Sequence, residues 1–174
     1  MLFKFFTLGP AQLQTPEKSV HGLLKMRNVE TVCTTEDPTD NLEYHQALKN
    51  SDFSVKVSTA FRPDKAILIS SETYNEYIDS LAKVADIEIN TYDDLRQALS
   101  KIIEYFNENG CKLSDHGLDQ IYFEDFTESE IKSIFERKRK KEGITPLEAL
   151  KFQSAILLFL SEFYHKYGWV QQFH

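Results

Sequence analysis

The chain has 174 residues, 41% of them hydrophobic, with 20 Lys and Arg against 27 Asp and Glu for a formal net charge of -7. That length and apolar content suit one ordinary globular domain, for which about 100–150 residues is typical. The acidic balance argues against a nucleic-acid partner, which would call for a basic face, and no apolar run approaches the roughly 18 residues that span a bilayer, so no membrane partner is expected either.

Residues 1–14 carry no assignable element: the apolar run from Met1 is broken too early for the core of a signal peptide. Thr15-Pro16-Glu17 is a helix-start signal, a capping hydroxyl followed by proline at the first helical position, and Val20, Leu23 and Leu24 mark one face of the helix it predicts. Asn28 to Cys33 reads as a first strand that delivers the polar loop Thr34 to Asp40, in which Asp37-Pro38 signals a turn. A short helix over 41–49 leads to a second strand over 54–61, which delivers Arg62-Pro63-Asp64-Lys65.

Helices are predicted over 71–84 and 91–109, the second opened by Thr91 with Asp94 and stopped by Gly110. Cys111 to Ser114 reads as a third strand with Ser114, Asp115 and His116 at its carboxyl end, and Gly117-Leu118-Asp119 as the opening of the next helical pattern. Thr127 with Glu130, and Thr145-Pro146-Leu147-Glu148, start two more helices; Gly168 stops the last, and Trp169 to Phe173 forms a fourth strand before His174. The basic run Arg137 to Lys141 falls in the last turn of a helix and reads as a solvated terminus. Cys33 and Cys111 are far apart and sit in apolar patterns, which predicts buried thiols and suits a reducing, cytoplasmic location.

A helix between each strand and the next is the signature of parallel strands joined by crossovers, so the fold class expected is α/β, with strands near 28–33, 54–61, 111–114 and 169–173 adjacent in that order. Such units amount to half of a (β/α)8 barrel, which takes about 250 residues. The domain expected over 15–174 is therefore a partial barrel, truncated at both ends. Open sheet edges and poorly buried Trp169, Phe173 and Val29 predict association, including homo-oligomers.

In folds of this class, ligands bind where the carboxyl ends of the strands and their loops converge. The residues collected there are Thr34, Thr35, Glu36 and Asp37, then Arg62, Asp64 and Lys65, then Ser114, Asp115 and His116, and finally His174. One cleft could hold them all. Arg62 offers a planar fork for a carboxylate, the carboxylates and histidines can move protons near neutral pH, and His116 or His174 could face a metal. The plain alternative is that Ser114 and Asp115 cap a helix and His116 is a surface residue. On the residues alone, the reading is a soluble α/β domain with a cleft for anionic ligands.

The spelling of these stretches adds a resemblance. Asn28-Val29-Glu30-Thr31-Val32-Cys33-Thr34-Thr35-Glu36-Asp37-Pro38, Phe61-Arg62-Pro63-Asp64-Lys65-Ala66, Gly110 to Asp119, and Gly168-Trp169-Val170-Gln171-Gln172-Phe173-His174 resemble, in that order, the uronate (glucuronate) isomerases of the amidohydrolase superfamily, from about Leu13 to the last residue. Met1 to Gln12 does not. The resemblance implies a distorted (β/α)8 barrel, here its strands two to five, with one divalent metal, usually zinc. The implied activity is interconversion of aldehyde and ketone forms of hexuronate sugars such as glucuronate/fructuronate and galacturonate/tagaturonate. It implies Arg62 and Ser114 as substrate-binding residues, Asp115 and His116 as catalytic residues, and His174 as a metal ligand. The family's principal metal ligands, a His-x-His and an aspartate from other strands, are not in this sequence, so the metal is expected to bind weakly or not at all to this chain alone. A hydrolase using the same cleft is a runner-up within the superfamily. The alternative from another class is an inactive remnant or a binding module for anionic ligands.

Overall fold

In a computed structural model of the chain, residues 14–174 are described; the N-terminal stretch that the sequence sets apart lies almost wholly outside them. Two compact units divide the chain, one comprising the residues up to Thr34 with Glu43–Ser58, the other Thr35–Leu42 with Thr59–His174. Strands β1 (Thr31–Glu36), β2 (Lys56–Phe61), β3 (Leu113–His116) and β4 (Val170–Phe173) form one sheet in the order β1-β2-β3-β4. β2 with β3 and β3 with β4 are parallel, with Phe61 opposite Ser114 and His116 opposite Phe173. Lys56 N–H donates to Glu30 O and Arg62 N–H to Glu36 O, so β1 and β2 also advance together.

The first unit carries α1 (Val20–Met26) and α2 (Glu43–Lys49). Thr15-Pro16 starts only a 3-10 turn, Pro16–Lys18; Ser19 is the residue that caps α1, its hydroxyl accepting from Gly22 N–H at 3.1 Å. Val20 and Leu23, expected on a packed face, are 71% and 41% exposed. β1 begins later than expected because Asn28 takes φ 53, the left-handed stop that lets Val29 N–H reach back to Leu24 O. Cys33 is exposed, against the expectation of a buried thiol, whereas Cys111 is buried.

The second unit holds α3 (Asp64–Ile67), α4 (Tyr74–Ala85), α5 (Tyr92–Glu108), α6 (Glu128–Arg139) and α7 (Pro146–Tyr167). Thr91/Asp94, Thr127/Glu130 and Thr145/Glu148 each close a capping box, as their spacing predicts. At the second of these, Lys151 and Thr127 hold the Glu130 carboxyl down to about 2. Gly110 and Gly168 stop α5 and α7 with φ 93 and 65, where a side chain would be strained. Cys111 N–H still bonds to Phe106 O in the exit from α5, which delays β3 to Leu113. Ser114, Asp115 and His116 therefore lie within the strand, and no helix opens at Gly117: residues 117–127 are an irregular loop. The basic run is not a free solvated terminus. Arg139 pairs with Asp79 at 2.6 Å, Lys138 Nζ donates to Ser71 O, and Arg137 pairs with Glu148, tying α6 to its neighbours.

The core of this unit sits between sheet and helices. Phe61 is fully buried, edge-on to Phe106 at 5.1 Å, Trp169 at 6.0 Å and Tyr164 at 6.2 Å, and Tyr164 stacks on Trp169 at 5.6 Å. Trp169, expected to be poorly covered, is 7% exposed; Phe173 is 50% exposed, as expected. Among the described residues no helix is long and apolar enough to cross a membrane. Because Phe61 joins β2 to α5, α7 and the start of β4, Phe61→Ala should lower unfolding free energy by about 3–5 kcal/mol. Val84→Ala, at a position 47% exposed on α4, should change it by less than about 0.5 kcal/mol. Urea denaturation of both variants checks the contrast; equal effects would remove Phe61 from its central place.

Candidate functional site

The site is built where β2, β3 and β4 end. Arg62 leaves β2 still bonded through its backbone to Glu36 O at 2.9 Å, and Pro63, which lacks an N–H, turns the chain into the single turn of α3 with Asp64 in it. Arg62 Nε donates to Asp64 Oδ2 at 2.9 Å, and the N–H of Gly117, just past β3, donates to the same oxygen at 3.1 Å. Asp64 Oδ1 lies 3.7 Å from His116 Nδ1, too far for a hydrogen bond. Burial of Asp64 disfavours its charge, but contact with His116, the Arg62 bond and the Gly117 N–H outweigh that and hold its carboxyl below the ordinary range. The bond to Asp64 in turn raises Arg62 above its ordinary value, so the guanidinium stays charged.

Asp115 occupies the middle of the cluster. Its Oδ2 is 3.7 Å from Arg62 Nη1 and its Oδ1 is 3.1 Å from His174 Nε2, although the latter contact is not aligned as a hydrogen bond. Asp115 is 7% exposed, while the side chains of Arg62 and His174 are 37% and 52% exposed. His174 is held by β-ladder bonds, its N–H donating to His116 O and its carbonyl accepting from Leu118 N–H. The cluster thus presents a cation, a carboxylate and an imidazole together, which is a set able to bind an anion and to exchange a proton.

Alternation along β3 separates the other two sequence candidates from this group. Ser114 is fully buried with no hydrogen-bond partner at its hydroxyl, and burial pushes the phenol of Tyr164 well above its ordinary range. His116 is also fully buried, neither ring nitrogen has a hydrogen-bond partner, and its ring stacks on Phe173 at 5.3 Å with Tyr164 at 5.7 Å. Neither residue caps a helix or lies on the surface.

The first-loop candidates form separate contacts. Asp37 Oδ1 accepts from Thr39 N–H in the expected turn, and its Oδ2 pairs with Lys65 at 3.2 Å. Glu36 accepts from Thr59, and Thr35 is exposed. Thr34 belongs to the first unit, where its hydroxyl meets His45 Nε2 at 2.8 Å. Two residues matter more than their sequence signals suggest: Asp64, one of several strand-end carboxylates, and Gly117, whose position suggests a helix opening. The spacing of Asp64 two residues after Arg62 around a proline is a local signal for their contact; the Gly117 N–H bond to Asp64 is a long-range approach with no local signal.

A metal centre does not fit this cluster by itself. Among the described residues no group of three or more His, Cys, Asp and Glu could hold a metal ion. Asp115 and His174 offer a pair, and the Arg62 cation already stands against that carboxylate.

The sequence profile of the glucuronate isomerase family matches residues 5–174, so the similarity reaches into the N-terminal stretch that the motifs set apart. A uronate isomerase of Flavobacterium johnsoniae is 60% identical over 171 residues, covering 98% of this chain and 37% of its own length. One from Cellvibrio japonicus is 46% identical over 164 residues, 93% of this chain and 35% of the relative. Among solved structures, the uronate isomerase of Thermotoga maritima aligns with a TM-score of 0.86 at 28% identity, covering 88% of this chain and 34% of that one. The glucuronate isomerase of Caulobacter crescentus aligns with a TM-score of 0.86 at 27% identity, covering 94% and 34%. The chain spans about a third of the length of these relatives. The fold class is thereby α/β with parallel strand–helix units, a partial barrel as expected.

The lowered carboxyl of Asp64 predicts a signed pH effect. A group whose pKa falls on folding stabilises fully above its unfolded value, here 3.8, and loses that contribution as pH falls through the folded value. Asp64→Asn should therefore be destabilising at neutral pH, and the gap to the wild type should close in acid below 3.8. Urea denaturation of both proteins across pH checks it; a gap that stays constant into acid would show that the Asp64 charge contributes nothing.

Proposed function

The chain belongs to the glucuronate isomerase family, and from that membership we propose that the whole protein interconverts aldose and ketose hexuronates, D-glucuronate with D-fructuronate and D-galacturonate with D-tagaturonate. The reaction moves a proton between the carbonyl carbon and its neighbour through an enediol. It calls for a base over the carbon, an electrophile at the oxygen and an anchor for the distant carboxylate. The observation that carries the assignment of roles is the convergence of Arg62, Asp115 and His174 at the ends of β2, β3 and β4.

Arg62 is the anchor in this reading. Asp64 takes its Nε, which leaves the Nη1–Nη2 edge for a carboxylate to meet in a two-point contact. Asp115, with His174 beside it, is the group that holds and moves a proton. His116 bears on the group only from the core side, through its 3.7 Å approach to Asp64, and Ser114 is buried on the same face of β3. Zinc as the metal of the complete protein, a cytoplasmic location and association into homo-oligomers complete the reading and rest on family membership.

Arg62→Lys keeps the charge and loses the fork; Arg62→Ala loses both. A charged hydrogen bond is worth about 1.5–3 kcal/mol, or roughly ten- to hundredfold in kcat/KM, and the 37% exposure of the side chain places the expected loss toward the lower end. Both variants are to be assayed in the complete protein with a hexuronate and with the matching neutral aldose. The anchor reading expects the loss to fall mainly on the acid; equal losses on both sugars would reject it.

A further inference from the structure

The Arg62 side chain is fixed from two sides by groups outside the proposed substrate-facing set. Asp64 Oδ2 accepts from Arg62 Nε at 2.9 Å and from Gly117 N–H at 3.1 Å, so one oxygen ties the end of β2 to the residue just past β3. At Gly117 the missing side chain is where the guanidinium goes: a Cβ built there would stand 2.5 Å from Arg62 Nη2 and 3.4 Å from Asp64 Oδ2. Real Cβ atoms do not approach a nitrogen so closely, and the atom that must yield is the tip of a long side chain. The fold can therefore absorb an added methyl by displacing Arg62. A guanidinium whose Nε is already bonded cannot move its tip without lengthening or bending that bond.

We propose that Asp64 and Gly117 are positioning residues for Arg62: Asp64 holds Nε, and Gly117 leaves the space that Nη2 occupies, so that the Nη1–Nη2 edge is presented in one orientation to a substrate carboxylate. The proposal rests on Arg62 being the carboxylate anchor. It assigns Gly117 a role in recognition instead of in backbone conformation.

Displacement of a two-point contact by about 1 Å is enough to cost binding and rate. In the complete protein, Gly117→Ala should raise KM for a hexuronate about tenfold or more, with a smaller change in kcat and little change in thermal midpoint. The decisive variant is Arg62→Lys/Gly117→Ala. Lysine has no Nη2 for the new methyl to strike, so the alanine should add almost nothing to the effect of Arg62→Lys, a non-additivity expected only if the two positions act through contact. A general structural role for Gly117 would persist in the lysine background. As a measurement independent of turnover and of substrate, the Arg62 Nε–H resonance should be protected from solvent exchange in the wild type, shifted in Gly117→Ala and lost in Asp64→Asn.

The positioning proposal is overturned if Gly117→Ala leaves the hexuronate KM unchanged, if the alanine effect is the same size in the Arg62→Lys background as in the wild type, or if the Nε–H signal ignores Asp64→Asn. Failure of the anchor reading has a different signature: Arg62→Ala and Arg62→Lys would leave the hexuronate KM unmoved while the Nε–H resonance still responded to both partners.

Discussion

Asp64 Oδ2 accepts two donors that arrive from different strands, the Nε of Arg62 and the backbone N–H of Gly117, and the geometry of the cluster depends on that oxygen. A partly buried carboxylate is costly unless charge and hydrogen bonds compensate it, and here a guanidinium and a peptide N–H do so at once. The pairing also decides which part of Arg62 is used up. With Nε committed, Nη1 lies 3.7 Å from Asp115 Oδ2, and the other oxygen of Asp115 lies 3.1 Å from His174 Nε2. Removal of Asp64 would leave three polar groups on three strand ends without a common reference.

The hydrophobic side of the sheet keeps those strand ends in register. Phe61 is the residue immediately before Arg62 and is clamped by Phe106, Tyr164 and Trp169. Trp169 is the residue immediately before β4, the strand that leads to His174, and its indole N–H donates to Asn107 on α5. One aromatic group thus fixes the start of β4 and the end of β2. Close packing turns that into precision at the site, since a shift of either strand would disturb interlocked rings.

Much of this was legible in the sequence because the signals were local. Thr91/Asp94, Thr127/Glu130, Thr145/Glu148, Gly110 and Gly168 act on residues within one turn of themselves, and the structure uses each as its chemistry dictates. The errors came where the deciding contact was with something else. Asn28 and Cys111 finish helix caps instead of starting strands, which moved β1 and β3 toward the carboxyl end. In the sequence, Ser114 and His116 group with Asp115 as strand-end polar residues. A shift that places all of them inside β3 makes alternation decisive, and burial of Ser114 and His116 against Tyr164 could not be read before the register was known. Arg137 to Arg139 looked like a solvated charge run because their partners, Glu148, Ser71 and Asp79, come from other parts of the chain.

The same alternation gives the cluster its division of labour. Asp115 points its carboxylate between Arg62 and His174, while its two neighbours in sequence turn into the core, where Ser114 is fully buried and His116 lies between Tyr164 and Phe173. A polar residue on the core side would ordinarily be a liability, and His116 has no hydrogen-bond partner at either nitrogen. Its Nδ1 nevertheless faces Asp64 Oδ1, the oxygen that Arg62 and Gly117 do not use. Only Oδ2 is hydrogen-bonded, and the carboxylate cannot rotate without losing its two donors there. Asp64 thus lies between the two faces of β3, hydrogen-bonded to Arg62 on one side and 3.7 Å from the buried His116 ring on the other.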